Sequence, residues 1–168
     1  MIIDFHTHIF PEKIAVRTIE KLEKIANVKA FTDGREESLL TSMKQAGVDI
    51  SVVLPVVTKP EQFSTINEFA ARLNEKYEGK KTRLISFGGI HPDALDYKKE
   101  LRMIKKLGLK GIKLHPDYQN TYFDDIKYRR ILDYASELGL ISVIHAGVDI
   151  GFPKNIHCNI GHIQKVIK

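Results

Sequence analysis

Five short apolar runs recur along the chain, and the stretches between them carry the spacing of amphipathic helices. The runs are Ile2-Ile3-Asp4-Phe5, Ile50 to Val57, Leu84 to Ile90, Gly111-Ile112-Lys113-Leu114, and Leu140 to Ile144. They are mostly continuous rather than alternating, as expected of parallel strands covered on both sides. Helices are expected after Pro11 (with Ile14, Ile19, Leu22 and Ile25 at helical spacing), around 38–45, and over 61–77, 97–106 and 125–137. Thr58-Lys59-Pro60-Glu61 reads as a capping box opening the third of these. Gly47, Gly108 and Gly139 each follow a helix and precede a strand, where a left-handed residue turns the chain back into the sheet.

Strand and helix therefore alternate, and the class is α/β with right-handed crossovers. Two architectures fit. A doubly wound five-stranded sheet would be complete at 168 residues. A (β/α)8 barrel would be unfinished, because three more units would bring it to roughly 270 residues.

Charge and cysteine content exclude several roles. The net charge of +5 arises from 26 Lys+Arg against 21 Asp+Glu, interleaved as in Glu20-Lys21-Leu22-Glu23-Lys24. No run of like charge or basic-aromatic stripe marks a nucleic-acid partner. No window approaches the ~20 apolar residues of a membrane span. The opening residues lack the basic and apolar regions of a signal peptide. The single cysteine, Cys158, has no pairing partner in the chain, which points to a reducing, cytoplasmic setting.

Five of the seven histidines fall at or just past the carboxyl ends of the runs: His6, His8, His91, His115 and His145. That edge is where parallel α/β folds build their sites. His6 and His8 are two apart on an extended segment, so both rings point one way and come within reach of one ion. His145, ending the fifth run, is a third ligand from another direction. Lys113 and His115 share a face of the fourth run; Lys113 either reaches solvent past the strand or serves the site. His91-Pro92 and His115-Pro116 read as loop anchors or as pocket lining. Asp4 is a strand-end polar group or an acceptor for an imidazole N–H. There is no glycine-rich nucleotide fingerprint.

The opening Ile2-Ile3-Asp4-Phe5-His6-Thr7-His8-Ile9-Phe10-Pro11 resembles that of the amidohydrolase-related family. This is the branch of the amidohydrolase superfamily with aminocarboxymuconate-semialdehyde decarboxylase-like enzymes and related hydrolases. Gly88-Gly89-Ile90-His91-Pro92, Gly111-Ile112-Lys113-Leu114-His115-Pro116 and Val143-Ile144-His145-Ala146-Gly147 follow in the family's order, so the resemblance covers essentially the whole chain.

The resemblance implies a (β/α)8 TIM-type barrel, here one domain over 1–168 that is truncated after about five strands. It also implies a divalent metal, zinc first, on His6, His8 and His145. Lys113 falls where some superfamily members carry a carboxylated lysine bridging two metals. The histidine ending strand six and the aspartate ending strand eight of such a barrel are expected beyond residue 168, so the catalytic residues stay unassigned. The leading expectation is hydrolysis of a small carbonyl substrate by a metal-activated water. Non-oxidative decarboxylation of a small carboxylic acid at the same site is the alternative, and a non-catalytic five-stranded module the third. A half-open barrel also favours self-association into a homo-oligomer, or instability.

Overall fold

A computed structural model describes residues 1–167; Lys168, the last residue of the expected domain, lies outside the described residues. The elements run β1 (Ile3–Thr7), α1 (Ala15–Ala26), α2 (Glu36–Ala46), β2 (Ile50–Val53), α3 (Phe63–Tyr77), β3 (Arg83–Ser86), β4 (Gly88–Gly89), α4 (Tyr97–Lys106), β5 (Gly111–Leu114), α5 (Ile126–Glu137), β6 (Ile141–Ile144) and α6 (Ile160–Val166). A 3-10 turn, Pro60–Gln62, leads into α3.

Every strand pair is parallel, and neighbours follow in chain order, β1-β2-β3 and β4-β5-β6. A doubly wound sheet reverses its strand order at a switch point, whereas a barrel adds each strand beside the last. The order here is that of the barrel. The structure is thus a (β/α)8-type barrel fold represented by its first five strand units.

The third apolar run is two strands rather than one, and Phe87 is the break. Ser86 pairs with Val53, and Phe87 N–H still donates to Val53 O at 2.9 Å. Gly88 pairs instead with Ile112. The cause is local. Asn67 of α3 reaches into β4, donating to Gly89 O at 2.9 Å and accepting from Gly89 N–H at 3.0 Å. A Cβ on Gly88 would lie 2.4 Å from Asn67 Oδ1, so only glycine admits this hook. Beside it the Phe87 ring occupies the space a Cβ on Gly111 would need.

Two main cores follow from the split. One packs β5 and its neighbours against α4 and α5, with Leu101, Ile104, Ile112, Leu114, Tyr128 and Ile131 fully buried. The other joins Ile9, Met43, Val53, Leu73, Tyr77 and Leu84 under α2 and α3. Val52, Leu54 and Phe87 form a smaller third group against Val143.

The turn glycines behave as expected, with φ of 67° at Gly47, 76° at Gly108 and 67° at Gly139. The capping box does not use Glu61. Gln62 Oε1 accepts from Thr58 N–H, Thr58 Oγ1 and Lys59 N–H, because Pro60 opens a tighter 3-10 turn that brings residue 62 under the segment start. Helix α6 has no counterpart among the expected elements.

Candidate metal centre

Register decides which side chains meet. Leu114 of β5 pairs with Ile144 of β6, so His115 and His145, the next residue on each, stand side by side. His145 N–H donates to Leu114 O at 3.0 Å, and the two imidazoles stack 4.1 Å apart with planes 7° from parallel. Tyr118 covers the other side of His115, also stacked at 4.1 Å, and Phe152 meets Tyr118 edge-on.

Strand β1 reaches the same edge by a different device. Asp4 to Thr7 spans three steps against the two from Ser51 to Val53, a β-bulge that re-aims the residues it contains. His6 and His8 emerge together, ring centroids 5.0 Å apart, while Thr7 turns inward and its hydroxyl donates to Val52 O. The His8 Nδ1 lies 2.8 Å from Leu54 O. A carbonyl only accepts, so Nδ1 carries the proton and Nε2 keeps its lone pair. Asp4 does not serve an imidazole here: its Oδ1 accepts from His6 backbone N–H at 3.1 Å.

Lys113 is fully buried, and its Nζ lies 3.4 Å from His6 Nε2. It does not reach solvent past the strand end. Burial lowers its ammonium to about 8. Desolvation also lowers His8 to about 4, with the charges of His6 and Lys113 adding, even though part of the residue stays open to solvent. His115 falls to about 3, by burial first and then by His145 and Lys113. His6 moves the same way from burial and Lys113. These imidazoles are neutral at pH 7, the state a metal ligand requires. His91 stands apart: its Nδ1 accepts from Asp93 N–H at 3.1 Å, which anchors the turn after β4.

Three further residues complete the edge. Asp149 is buried, with Oδ2 3.5 Å from His115 Nε2 and 3.7 Å from His145 Nε2. Asp117 has a fully buried side chain; its Oδ1 takes hydrogen bonds from His157 Nδ1 (2.9 Å) and His157 N–H (3.1 Å). His157, in the tail by sequence, is brought back by Gly147 N–H to Cys158 O and Phe123 N–H to His157 O. Sequence reasoning missed all three. The available signals were the i, i+2 spacing of His115 and Asp117 and the i, i+4 spacing of His145 and Asp149.

The set fits a divalent cation. Among the described residues, His115, His145 and Asp149 bring one donor atom each within 4.8 Å of one another. His145 Nε2 and Asp117 Oδ2 are buried without a hydrogen-bond partner, although they lie only 4.0 Å apart. Neutral imidazoles with carboxylates suit zinc or manganese alike. His6, His8 and His145 occupy one edge, with His145 Nε2 turned toward the two aspartates.

The amidohydrolase family model matches residues 3–166. No curated protein matches the sequence. Solved structures share the fold at low identity. A protein solved as amidohydrolase II aligns with TM-score 0.68 and 16% identity, over 93% of this chain and 54% of its own. The IDCase of Metarhizium anisopliae in apo form aligns at 0.65 and 17%, over 86% and 50%. The 5-carboxyvanillate decarboxylase of Novosphingobium aromaticivorans, complexed with manganese and 4-hydroxy-3-methoxy-5-nitrobenzoic acid, aligns at 0.65 and 18%, over 89% and 51%. The chain thus spans about half the length of these structures. With the strand order, the histidine edge and a family match over almost every residue, this chain belongs to the amidohydrolase family.

Proposed function

We propose that the protein carrying this chain is a metal-dependent decarboxylase of small hydroxylated aromatic carboxylic acids. The observation that carries the reading is the strand-end edge itself, where neutral imidazoles and a buried lysine converge. The manganese-bound 5-carboxyvanillate decarboxylase, similar in fold, favours loss of carbon dioxide over hydrolysis.

In this reading His6, His8 and His145 hold the cation, with manganese and zinc the first two ions to compare. A bound divalent ion supplies Lewis-acid polarisation of substrate oxygens. The chain supplies the rest. Leu54 O fixes the His8 tautomer. Lys113 brings a positive charge beside His6 for an anionic substrate group. The Tyr118–His115–His145 stack packs aromatic rings along the edge beside the lysine. A cytoplasmic setting fits a buried, free Cys158, whose thiol burial pushes up to about 11. No helix of the described residues is long and apolar enough to cross a membrane.

The test is carbon dioxide release from 2,6-dihydroxybenzoate-type and 5-carboxyvanillate-type acids, with Mn²⁺ or Zn²⁺ added to metal-stripped protein. Metal-dependent CO₂ release supports the reading. Metal-dependent cleavage of amide or lactone substrates without CO₂ replaces it with hydrolysis.

A further inference from the structure

We infer that the β5–β6 edge carries a divalent-cation seat of its own, built from His115, His145 and Asp149 with Asp117 facing it, and separate from the His6–His8 pair. The inference rests on the metal-dependent reading and adds to it a second place for the ion.

The geometry is that of a ligand shell without a hydrogen-bond network. Asp149 Oδ2 lies 3.5 Å from His115 Nε2 and 3.7 Å from His145 Nε2. Both separations are long for hydrogen bonds, whose heavy atoms sit roughly 2.7–3.2 Å apart. They match the spacing of two ligands that each lie about 2.0–2.2 Å from a shared ion. Among the described residues His145 Nε2 has no hydrogen-bond partner, and the buried Asp117 Oδ2 opposite it has none either. Leaving such atoms unsatisfied is costly, and a cation between them removes both penalties. Asp117 and Asp149 bring two carboxylate groups to the place where the two imidazoles meet.

Two rearrangements accompany binding. His115 Nδ1 accepts from Tyr118 N–H at 3.4 Å, so the metal-free ring carries its proton on Nε2. Ligation through Nε2 moves that proton to Nδ1 and gives up this one long bond. The stacked rings are also nearly parallel, so one must rotate for both lone pairs to converge. His145 Nε2 serves one ion at a time, which makes this seat a competitor of the strand-one pair.

The experiment is nitrogen NMR of isotope-labelled histidines in the metal-stripped chain during Zn²⁺ titration, with Co²⁺ absorption as the affinity readout. Expected are a tautomer switch at His115 and a shift at His145. In the His6→Gln/His8→Gln double variant the His115 response to Zn²⁺ should persist, because strand one no longer competes for His145. In His115→Gln/Asp149→Asn that response is lost, and Co²⁺ affinity at the seat should fall beyond the roughly 10–100-fold typical of outer partners. Shifts at His6, His8 and His145 with a still His115 overturn the seat and leave the metal-dependent reading standing. No histidine response to saturating Zn²⁺ overturns both. The wild-type spectra decide even where a variant fails to fold.

Discussion

Gln119 ties three strand ends with one side chain. Its Nε2 donates to Val57 O and to Ile90 O at 2.8 Å each, and its Oε1 accepts from His115 N–H and Tyr128 Oη. Gln119→Leu is expected to lower stability by about 3 kcal/mol, read by urea unfolding, because four buried polar groups lose a partner together. Lys113 is the opposite case, a fully buried amine with no carboxylate beside it among the described residues. Lys113→Met should raise stability at pH 7 by roughly 1–3 kcal/mol in the metal-free chain while reducing any turnover. The site was half legible in the sequence. Histidines at strand ends stand out because that edge is where parallel α/β folds build their sites. Asp117 and Asp149 did not, because aspartates after strands look like turn formers. Asp149 is one, accepting from Gly151 N–H at 2.8 Å, and its second oxygen meets the histidines.

At the level of elements, α2 and α3 are clamped through Glu36, in the first turn of α2. Its carboxylate accepts from Lys76 Nζ at 2.7 Å and from Tyr77 Oη, both at the end of α3. Burial alone would raise the Glu36 pKa; these hydrogen bonds outweigh it, and the net shift is downward. A carboxyl lowered in the folded state stabilises above its unfolded pKa and loses that contribution as pH falls through the folded value. Glu36→Gln should therefore destabilise by roughly 1 kcal/mol at pH 7, with the difference from wild type shrinking as pH falls below the usual carboxylate range in paired urea titrations. Helix and strand positions were readable because apolar periodicity and the three glycine stops agreed. The break at Phe87 was not, since an uninterrupted apolar run carries no mark of which neighbour each half will choose. The β1 bulge is hidden for the same reason: it is a property of pairing between residues far apart in the chain.

Across the whole molecule, the sequential strand order leaves β1 and β6 as outer strands among the described residues, each paired on one side. Ile3, Phe5 and Ile141 there are 47%, 50% and 53% exposed. An apolar strand with a free edge recruits another, so the 168-residue chain should associate with rising concentration in sedimentation velocity. Ile3→Lys with Ile141→Lys should shift it toward the monomer; concentration-independent sedimentation of the wild type would count against the idea. The division at Phe87 also has a dynamic consequence. β2 and β3 contribute to one core and β5 to a different one, with the small Val52–Leu54–Phe87 group against Val143 of β6 between them, and α3 bridges the two through Asn74 to Ser86 on one side and Asn67 to Gly89 on the other. The two halves are natural units of local opening, with exchange rates of their own for their amide protons. His6 and His8 ride on the first half, His115 and His145 on the second. An ion gripping the second half alone slows exchange in β5 and β6 and leaves β1 and β2 as they were, whereas one spanning His6, His8 and His145 fastens the halves together and slows both.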